Sequence, residues 1–64
     1  MNTPSFSATD LEELERVCFN LIHPKTSRKL DGEMGRKRLL KKLGQDTLAA
    51  MYQALKAAGR LPNA

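Results

Sequence analysis

The chain has 64 residues, with eleven Lys and Arg against seven Asp and Glu, a formal charge of +4 and 41% apolar residues, the content of one small, basic, folding domain. A chain this short buries only about 60% of its unfolded surface, so it is marginal unless dense packing, a disulfide, a metal or a second subunit helps it. Cys18 has no second cysteine to bond, and with His23 alone beside it the chain falls short of the about four ligands of a closed zinc site. No cofactor or metal is therefore expected, and a homodimer is the expected remedy. No apolar run approaches the ~20 residues of a membrane span. The opening MNTPSFSATD has neither the basic nor the apolar region of a signal peptide. An unpaired thiol suits a reducing compartment, so the expected location is cytoplasmic.

In chain order, residues 1–6 read as a flexible tail, 7–60 as a single three-helix domain and 61–64 as a C-terminal tail. Two overlapping signals start the first helix. Ser7 as N-cap puts Asp10 at N3, with Phe6 and Leu11 at the staple positions; Thr9 as N-cap would instead pair with Glu12 in a capping box. Either choice sets acids in the first turns, where the helix dipole favours them. Leu11, Leu14, Val17, Cys18, Leu21 and Ile22 then form one apolar stripe, and Pro24 stops the helix near Ile22 or His23.

The segment HPKTSRKLDG reads as a basic loop with Leu30 as its one core contact. Asp31 is positioned to cap a second helix over roughly residues 32–43, with Leu39, Leu40 and Leu43 as its buried seam and Gly44 closing it. Asp46 or Thr47 starts a third helix after a very short turn. Leu48, Met51, Tyr52 and Leu55 share one of its faces, and Gly59 and Pro62 end it. Nothing alternates as a strand would, so the fold class is all-α.

Charge is unevenly spread. Asp10, Glu12, Glu13 and Glu15 hold four of the seven acids within six residues. Lys25, Arg28, Lys29, Arg36, Lys37, Arg38, Lys41 and Lys42 hold eight of the eleven bases within eighteen. Five of these lie in the seven residues from Arg36 to Lys42. A solvated helix face ordinarily mixes signs at i, i+4, and here no acid lies between Glu33 and Asp46. The ordinary alternative is that the acidic first helix neutralises the basic one across the fold. The functional reading is an anion grip: Lys and Arg on phosphates release counterions and bind with steep salt dependence. Thr26 and Ser27 add hydroxyl donors for phosphate. Arg28, Arg36 and Arg38 are the only candidates to read guanine, and no Asn or Gln of the patch reads adenine. Without aromatics for base stacking, a duplex backbone fits better than a single strand.

The segment LLKKLGQDTLAAMYQALKAAGRLP resembles a helix-turn-helix, in that two helices meet at a glycine. Its turn is shorter than the usual three or four residues. The outward face of the third helix, Ala49, Ala50, Gln53 and Ala57 with Lys56 on its flank, lacks the polar side chains that read bases. Its small residues suit close approach of another helix, in a homodimer seam or against a partner protein, although alanine is also simply the best helix former.

Catalytic chemistry is not indicated. Cys18 sits on the apolar stripe, where a buried inert thiol is expected. His23 beside Pro24 reads as a helix-end residue. The expectation is a small non-enzymatic regulatory protein, of the size of a plasmid or phage product. It would bind nucleic acid through the eight basic residues, with no membrane and no small-molecule substrate. Its rival is an inhibitor or adaptor that docks on an acidic host protein through the basic surface or the alanine face.

Overall fold

The computed structural model describes residues 6–62. They form three helices and no strand: α1 over Ala8–Leu21, α2 over Thr26–Leu43 and α3 over Gln45–Ala57. Of the expected tails at 1–6 and 61–64, residues 1–5 and 63–64 lie outside the described residues. Phe6 and Leu61 pack against the edge of the core.

Ser7 is the N-cap of α1, and Thr9 lies inside the helix. The Asp10 amide donates to Ser7 Oγ at 3.1 Å, and the Ser7 amide donates to Asp10 Oδ2 at 3.4 Å, closing a capping box. These bonds satisfy amides that the first turn would leave without partners. The helix stops at Leu21, three residues before Pro24. Ile22 is its C-cap and is largely exposed, so the apolar stripe ends one residue earlier than its spacing predicts.

The second helix departs most from expectation. HPKTSRKLDG is not a loop beyond Lys25: Lys25 is extended and acts as N-cap, Thr26 opens α2, and Asp31 sits within it. The buried residues of α2 are Gly32, Gly35 and Leu39; Leu43 is half-buried, and Leu30 and Leu40 face solvent. Glycine inside a helix costs about 1 kcal/mol relative to alanine, and here close packing compensates. A Cβ on Gly32 would fall 2.9 Å from the backbone nitrogen of Leu21, and one on Gly35 would fall 2.8 Å from Cγ2 of Val17. The missing side chains let α1 and α2 approach nearly backbone to backbone. That contact fixes which side of α2 is buried and moves the seam off Leu40.

Gly44 alone separates α2 from α3. With φ 90° and ψ 162° it occupies a region open essentially to glycine, not the left-handed helical conformation its position predicts. Its amide donates to the Leu40 carbonyl at 2.8 Å, and its carbonyl accepts from the Leu48 amide at 3.1 Å. One residue thus closes one helix and opens the next. Asp46 is consequently in the first turn of α3 and not its cap.

At the other end of α3, Gly59 turns the chain at φ 68°. The Arg60 amide reaches the Leu55 carbonyl at 2.9 Å and the Gly59 amide reaches Lys56 at 3.1 Å, a Schellman closure. The turn carries Arg60 back onto α1, where its guanidinium donates twice to Glu15, at 2.7 and 3.1 Å.

The core is Leu14, Val17 and Cys18 of α1, Leu39 of α2, and Leu48, Met51 and Leu55 of α3. With a single buried side chain from α2, nearly the whole circumference of that helix away from α1 and α3 remains in water.

Candidate nucleic-acid interface

All eight singled-out cations come from one element. Lys25 is the N-cap of α2, Arg28 and Lys29 lie in its first turns, and Arg36, Lys37, Arg38, Lys41 and Lys42 fill its second half; every one is exposed. The Lys25 amide donates to Nδ1 of His23 at 3.2 Å, which ties the start of α2 to the end of α1. The His23 ring in turn meets Phe19 edge-on, with centroids 5.9 Å apart.

The cations do not share one face. With Gly32, Gly35 and Leu39 buried and about 100° between successive residues, the ridge opposite the core is Leu30, Met34, Lys37 and Lys41. Lys29 and Arg36 lie on the flank towards α3. Arg36 and Leu40 of that flank, with Lys37 of the ridge, border an open groove of about 510 Å³ together with Gln45, Leu48 and Tyr52. Arg38 and Lys42 lie on the flank towards α1, where Lys42 Nζ is 3.4 Å from Asp10 Oδ1.

The acids of α1 do little to cancel these charges. Among the described residues, Lys42 is the one cation of the eight within ion-pair reach of a carboxylate. Glu15 is taken by Arg60. Asp10 is held below the usual carboxylate value, first by the Ser7 amide, which desolvation opposes, and then by the Ser7 hydroxyl and Lys42.

On α3, Ala49, Gln53 and Ala57 are exposed and Ala50 is half-buried. Cys18 is buried, and desolvation pushes its thiol above the ordinary value with Tyr52 acting against it. Such a thiol has little thiolate character. Burial likewise raises the Tyr52 phenol, opposed by the charge of Arg36 across the groove. Among the described residues no group of three or more His, Cys, Asp or Glu is placed to hold a metal, and no helix is long and apolar enough to cross a membrane.

Two features escaped the sequence reading. One is the exposed apolar side chains among the cations, Leu30, Met34 and Leu40. The other is the glycine pair that exposes them. The signal was present in DGEMG: two glycines three apart share a helix face, and placing the burial there turns Leu30 and Met34 outward. Comparison with protein-family models, with curated proteins and with solved structures finds no match to this chain.

Proposed function

We propose that this chain is a small non-enzymatic regulatory protein of the cytoplasm that grips nucleic acid, as a duplex, through α2. One observation carries the reading: eight exposed cations project from a single helix and its cap, and among the described residues only Lys42 is paired with an acid. Unpaired cations held on a rigid helix bind phosphate without first breaking internal ion pairs, and counterion release supplies the free energy. A homodimer joined along Ala49, Ala50, Gln53 and Ala57 of α3 would display two copies of α2 to a symmetric site.

The test is fluorescence anisotropy with a random-sequence duplex from low to physiological salt. The expected log–log slope is about −0.9 per phosphate contact. Lys37→Glu with Lys41→Glu should abolish binding at physiological salt and make the residual slope shallower by about 1.8, two contacts' worth. Ala50→Glu with Ala57→Glu should leave DNA affinity per subunit intact while breaking the dimer. Absence of binding by the unaltered protein even at low salt sinks the reading.

A second reading has its own observation. The groove between α2 and α3 combines an apolar floor, Leu40, Leu48 and Tyr52, with the cations Arg36 and Lys37 at its rim. This suits an acidic protein segment that inserts an apolar side chain. A protein partner lost on Lys37→Glu with Lys41→Glu, in a chain that binds no duplex, would favour it.

A further inference from the structure

We propose that α2 seats lengthwise in the major groove of B-form DNA and that Leu30 and Met34 contact thymine methyl groups there. The proposal rests on the nucleic-acid reading above and specifies which groove is entered and which base is met.

The first argument is shape. An α-helix with its side chains is about 10–12 Å across, and the major groove is about 12 Å wide. A helix can enter only if one long side of it stands clear of its own protein. The ridge of α2 does so because Gly32, Gly35 and Leu39 confine the packing to the opposite side. Leu30 is 54% and Met34 61% exposed on that ridge.

The second argument is the placement of charge. A major groove is bordered by phosphates of both strands, so a helix lying in it needs cations on both flanks. Lys29 and Arg36 lie on one flank of the ridge, and Arg38 and Lys42 on the other. A patch confined to one face would suit a single phosphate row.

The third argument is chemical. The ridge residues that would meet base edges in the first half of α2 are Leu30 and Met34, which neither donate nor accept ordinary hydrogen bonds. Along the base edges of the major groove the apolar feature is the C5 methyl of thymine. Leu30 and Met34 are four residues apart, about 6 Å along the helix, close to two base-pair steps of about 3.4 Å. Asp31 and Glu33 adjoin this apolar half, and Lys25, Arg28 and Lys29 are the exposed cations of the same turns that offset them towards phosphate. Lys37 and Lys41 continue the ridge towards the backbone.

The experiment uses two short duplexes of alternating A·T pairs, one with every thymidine replaced by deoxyuridine, which removes only the methyl groups. A duplex RNA of matched sequence is the third probe. Each is titrated by anisotropy at several salt concentrations. The unaltered protein should prefer the thymine duplex by about fourfold per contacted methyl, about fifteenfold for two. The duplex RNA should bind more weakly than either DNA, because the A-form major groove is too deep and narrow for side chains to read.

Leu30→Ala with Met34→Ala should bring the thymine and deoxyuridine affinities together and leave the salt slope unchanged. Both side chains are exposed, so the fold should survive, and far-UV circular dichroism checks that it does. Equal affinity for the thymine and deoxyuridine duplexes overturns the methyl contact while leaving the phosphate grip intact. So does a preference that persists in the double variant. Duplex RNA bound as tightly as DNA overturns the groove seating. Failure to bind either DNA at low salt overturns the proposed function itself and points the ridge at an acidic protein.

Discussion

Replacing Gly35 with alanine tests the packing that sets α2 in place. Alanine in a helix interior is favoured over glycine by about 1 kcal/mol, so without close neighbours the variant would be the more stable protein. The added Cβ would lie 2.8 Å from Cγ2 of Val17. Val17 is buried and β-branched, with one strongly preferred rotamer in a helix, so it cannot easily turn aside. Overpacking of this kind costs about 1–3 kcal/mol. The balance leaves Gly35→Ala less stable by about 1 kcal/mol, a fall in Tm of about 4–8 °C for a domain of this size. In a Val17→Ala background the obstructing methyl is gone. The same substitution should then show its bare helix preference, stabilising by about 1 kcal/mol. The double-mutant cycle therefore carries a coupling of about 2 kcal/mol.

Gly32 supplies the control. Its Cβ would meet the backbone nitrogen of Leu21 at 2.9 Å, which no side-chain truncation removes, so Gly32→Ala should destabilise in both backgrounds. Urea unfolding followed by far-UV circular dichroism gives the midpoints, with an unchanged m-value as the check on two-state behaviour. A Gly35→Ala protein more stable than the parent, or a coupling within about 0.5 kcal/mol of zero, would refute the glycine-mediated contact.

Two further outcomes follow from the helix ends. Gly44→Ala puts a side chain where nothing lies within 4 Å, so its cost is purely conformational; at φ 90° and ψ 162° it should be about 1–3 kcal/mol, and thermal melts as stable as the parent's would contradict that backbone. Asp10 titrates below its ordinary 3.8 because the folded helix end favours the carboxylate. Its contribution to stability is therefore complete above that value and is lost as the pH falls from there through the lower folded value. Melts of the parent and Asp10→Asn should differ at neutral pH and converge in acid; a gap that stays constant down to pH about 2 would refute the capping box as its source.

Much of the architecture was legible because it is local. The overlapping cap signals of Ser7 and Thr9, of which the folded chain uses Ser7 with Asp10, the apolar stripe from Leu11 onward, the stop before Pro24 and the face of Leu48, Met51 and Leu55 all follow from residues within a few positions of one another. The basic character of the middle segment was equally plain. Its start was not: Thr26 to Asp31 carry turn-forming residues and a candidate cap, and Gly32 looked like a boundary. Residues with indifferent helix preference were drawn into α2 because the packing of Gly32 and Gly35 on α1 outweighs their intrinsic cost. The same contact leaves Leu30 and Leu40, which apolarity and spacing predict as core, exposed.

By itself the sequence determined the number of helices, most of their ends, the apolar faces of α1 and α3, and the concentration of cations between Lys25 and Lys42. These depend on spacing along one helix and on the caps that satisfy its terminal amides and carbonyls. Only the tertiary structure decided which side of α2 is buried, because that depends on where α1 can approach most closely, and two glycines permit it where leucines would not. That choice places Leu30 and Met34 on an open ridge with cations along both flanks. It also leaves Asp10 to pair with Lys42, while the turn at Gly59 brings Arg60 to Glu15, so the acidic and basic segments of the sequence remain largely separate charges in the folded protein.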